Sequence, residues 1–399
     1  MKTRVATFFA LMIAGFGFAQ NCDVLPESAL KTMKMDIQFL ADDALEGRLP
    51  GTKGAMEAAY YISNVFKQAQ LVPMGNSSDY LQQFEISDWV KVGKKKTFLI
   101  VNGDTLKVNR DFYPMPQSTN GNISGDLIYV GFGIEAADLE HNDYKKLSEK
   151  KLKDKIFVID VSSPDGVHPH SKYLAYHNLD YRAELAVKKG AKGIIFINAG
   201  DLASDPKMKF RKIKDAGVPV VFLKNIPNDA KPKKLKSASM GVVLKERYID
   251  AFNVVGFKNN NAPYTVVIGA HYDHLGWGAD NSLYKGEPAI HNGADDNASG
   301  TAGLLELVRF FGADTTYKAA NILFVAFSGE ERGLLGSKFF VDNTPVSVDG
   351  MAYMLNMDMI GRMENRQLAI SGGGTADNWK AALELSNCDM DLKLSESGV

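Results

Sequence analysis

The 399 residues carry 46 basic and 47 acidic side chains, a formal charge of -1, and 45% apolar residues. That balance excludes the concentrated cationic footprint needed to bind nucleic acid or an acidic membrane surface. The length exceeds what one hydrophobic core usually organises, so two domains are expected, and with only Cys22 and Cys388 no disulfide framework holds them together.

Residues 1–19 combine Lys2 and Arg4, the apolar stretch VATFFALMIAGF and the sequence Gly17-Phe18-Ala19. This is the pattern of an export signal cleaved after Ala19, and it directs the protein to the periplasm or the extracellular space. Cys22 is not preceded by the small residue expected beside a lipidated cysteine, and no later apolar run approaches the ~20 residues that span a bilayer. From about 28 to 70, Leu30, Met33, Ile37 and Leu40, then Ala55, Ala58, Ala59, Ile62, Val65 and Phe66, recur at helical intervals around the loop Glu46-Gly-Arg-Leu-Pro-Gly-Thr. Two amphipathic helices fit this spacing. Strand-like pieces follow at Tyr80 to Ile86 and at TFLIV, 97–101. Between about 120 and 225 lie the apolar runs DLIYVGFGI, KIFVID, GIIFI and VPVVFL, with a helical pattern from Ala183 to Lys189. That stretch holds His168-Pro-His170, read as an exposed loop because no carboxylate stands at ligand spacing, and the lysine runs at 94–96 and 231–236 are read as solvated. After Phe252 strand and helix alternate again. The expected organisation is an α/β domain begun in residues 20–118, interrupted by a strand-rich module at 119–248 and resumed over 249–399.

The chemistry concentrates in four segments: His271-Tyr-Asp273, Asp295-Asp296, Glu330-Glu331 and Asp358. Three of them close the apolar runs YTVVIGA, NILFVAF and MAYMLNM, each seven residues long, the length of a buried strand in a mostly parallel sheet. Such sheets bind ligands just beyond the carboxyl ends of their strands. Zinc accepts imidazole nitrogen and carboxylate oxygen, and a carboxylate can bridge two ions. His271 is a candidate ligand, with Asp273 placed to orient its ring. Asp296 precedes the helix expected from Thr301 to Phe311. Of Glu330 and Glu331, one can bind metal while the other serves as general base.

The segments AHYDHLG (270–276), NGADDNASG (292–300), FSGEERGLLGS (327–337) and NMDMIGR (356–362) resemble the M28 family of zinc metallopeptidases. FLADDALEGRLPGTKGAMEAAYYI is similar to the opening helices of that family, and the 119–248 module to its protease-associated insert. The resemblance implies a mixed, mostly parallel sheet flanked by helices, with an inserted β-rich domain. It implies two zinc ions: His271 and Asp358 on one, Glu331 on the other, Asp296 as the bridge, and Glu330 as the base in peptide hydrolysis by a metal-bridging hydroxide. It also implies a cis peptide bond after Asp296. The activity implied is that of an aminopeptidase acting on peptide or protein substrates. In the family a second histidine, late in the domain, completes the zinc held by Glu331; here no histidine follows His291. The 399 residues are therefore read as a truncated chain, inactive as it stands, and His274 and His291 are not counted as replacements. Two alternatives carry over from related folds: a receptor-like binding module without catalysis, and a single-zinc transferase similar to glutaminyl cyclase.

Overall fold

The computed structural model describes residues 26–397 apart from 77, 201, 228–230, 279–281 and 388–391. The expected export signal, Cys22 and Cys388 lie outside the described residues. The chain divides into two compact units, Met1–Ile86 with Ile249–Val399, and Ser87–Tyr248.

In the first unit, helix α1 (Glu27–Leu40) and helix α2 (Lys53–Gln68) fall where the apolar spacing puts them. Thr52 caps α2 by accepting the Ala55 amide through its side chain. Gly54, at the start of α2, lies so close to the turn before it that a Cβ there would stand 1.9 Å from the Leu45 carbonyl. The sheet comprises β1 (Val72–Pro73), β2 (Leu81–Ser87), β3 (Tyr248–Lys258), β4 (Thr265–His271), β5 (Asn321–Phe327) and β6 (Met351–Asn356). Its order is β1-β3-β5-β4-β6, with β2 also paired to β3. β4 runs parallel to both β5 and β6, so the carboxyl ends of these three strands share one edge.

Residues of β5 alternate between two cores. Ile322, Phe324 and Ala326 pack with Ala58, Ile62 and Phe66 of α2 and with Leu304, Leu305 and Val308 of helix α3 (Gly300–Ala313). Leu323, Val325 and Phe327 pack on the other face with Phe340 of helix α4 (Leu335–Asp342). The sheet is thus covered on both faces, and every residue of β4 and β5 is buried, which removes apolar side chains from water at roughly 1.5–3 kcal/mol apiece. MAYMLNM does not follow suit. Among the described residues β6 pairs only with β4, and Met354 and Leu355 are more than two-fifths exposed.

The second unit is built on an eight-stranded sheet. Strands Gly121–Tyr129, Lys155–Asp160, Ala191–Ile197 and Val220–Leu223 lie side by side and parallel, matching the four apolar runs. The sheet also takes in Phe98–Val101, Asp104–Leu106 and Phe112–Pro114. The boundary expected at 118/119 therefore falls inside this unit, which begins at Ser87, because Phe98–Val101 pairs with Ser237–Val242 over four residues. No helix among the described residues is long and apolar enough to cross a membrane.

Candidate metal centre

The parallel register of β4 and β5 sets His271 opposite Phe327, so the imidazole emerges at the same edge as Glu330 and Glu331, while Asp358 follows β6. Asp296 arrives from the other direction, on the tight turn that leads into α3, and its peptide bond to Asn297 is cis, as the family resemblance implies. His271 Nε2 stands 3.3 Å from Asp296 Oδ1 and 3.4 Å from Asp358 Oδ1. Donors held at about 2.1 Å around a tetrahedral zinc are about 3.4 Å from one another, so both carboxylate oxygens already stand at zinc-site spacing from the ring. The ring is buried, with 3% of its surface exposed, whereas the carboxylates are partly open to water.

A second group of donors shares Asp296. His274 Nδ1 lies 2.6 Å from Glu331 Oε1 and 3.9 Å from Asp296 Oδ1. All the donor atoms of each group lie within 4.8 Å of one another. Glu330 belongs to neither group; its carboxylate is 4.0 Å from His271 Nε2, beside the first group and facing its histidine.

Electrostatics follow from crowding five carboxylates against two rings. Burial works against a charged His271, but contact with Asp273, Asp296 and Asp358 more than offsets it, and the imidazole is pushed up to about 12. The His271 contact in turn holds Asp296 below the usual carboxylate range. Glu330 moves the other way, raised chiefly by burial and further by Asp273, Glu331 and Asp358, against the lowering effect of His271.

Three features keep these side chains in place, and none belongs to the expected ligand set. Arg48, fully buried, donates from Nε to the Tyr272 carbonyl at 2.7 Å, from Nη1 to Asn292 at 2.7 Å and from Nη2 to Gly293 at 2.9 Å, and also reaches the Leu40 carbonyl. One guanidinium thereby ties the end of α1 to the loops that carry the histidines and Asp296. Burial lowers it to about 10, against the raising effect of Asp273, Asp296 and Glu331. Asn297 accepts the Gly300 and Met359 amides on Oδ1 and donates from Nδ2 to the Met357 carbonyl, joining the Asp296 turn to the Asp358 turn. Thr301 donates its hydroxyl to the His271 carbonyl at 2.9 Å.

Asp273 faces the His271 ring with both its carboxylate and its backbone carbonyl. Its carboxylate is 3.7 Å from Nδ1, and the ring N–H donates instead to the Asp273 backbone carbonyl at 3.2 Å. The carboxylate accepts the Glu330 amide at 3.1 Å, which makes it a support for the base. The resulting tautomer is the one that turns Nε2 toward the carboxylates. Tyr272 is structural, donating to the Phe252 carbonyl, and Arg362 pairs with Asp295 at 2.8 Å.

Residues 253–392 match the model of peptidase family M28. Aminopeptidase YwaD of Bacillus subtilis (strain 168) is 30% identical over 194 residues, which are 47% of this chain and 38% of that protein. Leucine aminopeptidase 1 of Trichophyton equinum is 36% identical over 138 residues, 33% of this chain and 35% of that protein. The chain thus spans well under half the length of these relatives. In three dimensions it is similar to an aminopeptidase from Aneurinibacillus sp. strain AM-1, with a TM-score of 0.51 and 22% identity over 92% of this chain and 80% of the other, a likeness of fold alone.

Proposed function

From a chain whose residues 253–392 match peptidase family M28, we propose the activity of an exported, zinc-dependent aminopeptidase. The observation that carries this reading is the meeting of His271, Asp296 and Asp358 in one cluster, with both carboxylates at zinc-site spacing from the ring and Glu330 alongside at 4.0 Å. The donor set is all nitrogen and oxygen, which suits zinc, and Asp296 takes part in both groups as a bridge. Glu331 belongs to the second position. Bound there, zinc lowers the pKa of a water molecule and polarises the scissile carbonyl.

The protein's own contribution is placement and proton transfer. Glu330 accepts the proton of the attacking water and returns it to the departing amine, a role that suits a carboxylate whose proton affinity is raised by burial. Asp273 fixes the backbone of that base through the Glu330 amide. Residues 119–248 lie in the second unit, which we assign to the protease-associated type, and the N-terminal signal to export.

Glu330→Gln tests the reading. In a form of the protein that turns over an amino-acid anilide, the variant is expected to retain its metal, measured by elemental analysis, and to lose that turnover by about 10²–10⁴-fold, the range for removal of a general base. Full turnover in this variant would remove Glu330 from the mechanism.

A further inference from the structure

The near-neutral charge of the whole chain conceals a division between its two units. Ser87–Tyr248 carries 29 lysines and arginines against 19 aspartates and glutamates, a net of +10. The remainder holds the other 17 of the 46 basic and 28 of the 47 acidic residues, a net of -11. Taken by itself, the second unit thus has the cationic excess that the composition of the whole chain denies. The excess has a focus. Lys145 to Lys155 holds six lysines and two acids, Glu149 and Asp154. Part of this run walls a groove of about 630 Å³. In it Lys150 and Lys151, from the short helix Glu149–Leu152, and Lys155, at the start of the strand that follows, meet Leu127 and Ile128. The groove lies where strand Gly121–Tyr129 changes partners, pairing antiparallel with Ser237–Val242 up to Asp126 and parallel with residues 156–158 from Leu127 onward. One carboxylate is already seated there. Asp126 meets Lys155 Nζ at 2.5 Å, and Lys192 lies over Gly125, where a Cβ would stand 2.6 Å from its Nζ. Lys155, and more weakly Lys192, holds Asp126 below the usual carboxylate range. Lys150 and Lys151 are exposed and, among the described residues, form no ion pair.

We propose that this groove binds an acidic peptide segment. Lys150 and Lys151 take its carboxylates as Lys155 takes Asp126, and Leu127 and Ile128 take the apolar side chains between them. A concave shape with apolar walls suits a peptide chain. The described lining includes no aromatic ring on which a nucleobase stacks and no arginine that forks a phosphate. The binding site stands apart from the metal centre and does not depend on the peptidase reading.

The experiment is fluorescence anisotropy of the full chain with a fluorescein-labelled peptide of alternating glutamate and leucine, acetylated at its N-terminus so that an aminopeptidase leaves it intact. A glutamine–leucine peptide is the control, and a single-stranded oligonucleotide and phosphatidylglycerol vesicles serve as unlabelled competitors. The glutamate peptide is expected to bind, more weakly as salt is raised, and the glutamine peptide to bind at least about tenfold less well. Lys150→Glu with Lys151→Glu should weaken binding by about tenfold. Lys94→Glu with Lys95→Glu, the same change of charge in an exposed run outside the groove, should weaken it by less than about threefold. All four lysines are exposed, and circular dichroism checks that each variant is folded. Equal weakening by the two double variants overturns the groove in favour of net charge alone. Equal binding of the two peptides, or none of the glutamate peptide, overturns it as well. Displacement of the peptide by oligonucleotide or vesicles at concentrations below its own Kd assigns the groove to that partner and overturns the peptide.

Discussion

The two halves of the carboxylate cluster meet at Asp296 but are built in different ways. The His271 half is set by sheet register: its ring sits on the last residue of a fully buried strand, and its donors stand 3.3 and 3.4 Å from Nε2. The His274 half is set by loops, pinned from below by Arg48, and its donors are unevenly spaced at 2.6 and 3.9 Å. Strand ends deliver ligand geometry directly, whereas loop-borne ligands depend on a clamp.

The comparison breaks most completely at the residue the halves share. Asp296→Ala is expected to abolish uptake at both positions, measured as metal per chain; retention of one ion would show that the halves are independent. Arg48→Met separates them. Four carbonyls lose their donor in a buried setting, a cost of roughly 3–5 kcal/mol in urea unfolding, and the second ion should be lost before the first. Equal weakening of both ions would place the clamp beneath the whole cluster.

A third test addresses the His271 half through protons. In the metal-free protein His271 is pushed up to about 12 from an ordinary 6.5, so it holds a proton at neutral pH that an incoming ion must displace. Apparent affinity at this position should rise by about tenfold per pH unit across the neutral range, with close to one proton released, as read by calorimetry in buffers of different ionisation enthalpy. For the metal-free fold the sign is the reverse: the stabilisation from charged His271 is fully present below pH 6.5 and is lost as pH rises through about 12. Smallest of all, Arg362→Ala removes the pair between this exposed guanidinium and Asp295 and should leave the urea midpoint and both metal positions nearly unchanged.

The sheet-borne part of this site could be read from the sequence, since an apolar run of strand length followed at once by His271 or by Glu330-Glu331 carries its position with it. The loop-borne part could not. A spacing of three residues from His271 gives no sign that the loop turns the His274 ring toward Glu331 and Asp296. Arg48 left no local signal, because its partners are backbone carbonyls as far as 245 residues away. Asp273 was read as orienting the ring; its carboxylate and its carbonyl compete for that task, and only coordinates decide between them. Residues 351–357 looked buried by composition, and residues 87–118 looked like part of the first unit, since neither edge position nor strand partnership is encoded locally.

The in-register pairing of β4 with β5, from Thr265 opposite Asn321 to His271 opposite Phe327, has a consequence for how preparations of this protein are judged. A slip of one residue would turn every side chain of β4 to the opposite face. Far-ultraviolet spectra would scarcely register such an error, because strand content is unchanged. Bound metal would vanish, so a zinc assay doubles as a measure of folding fidelity.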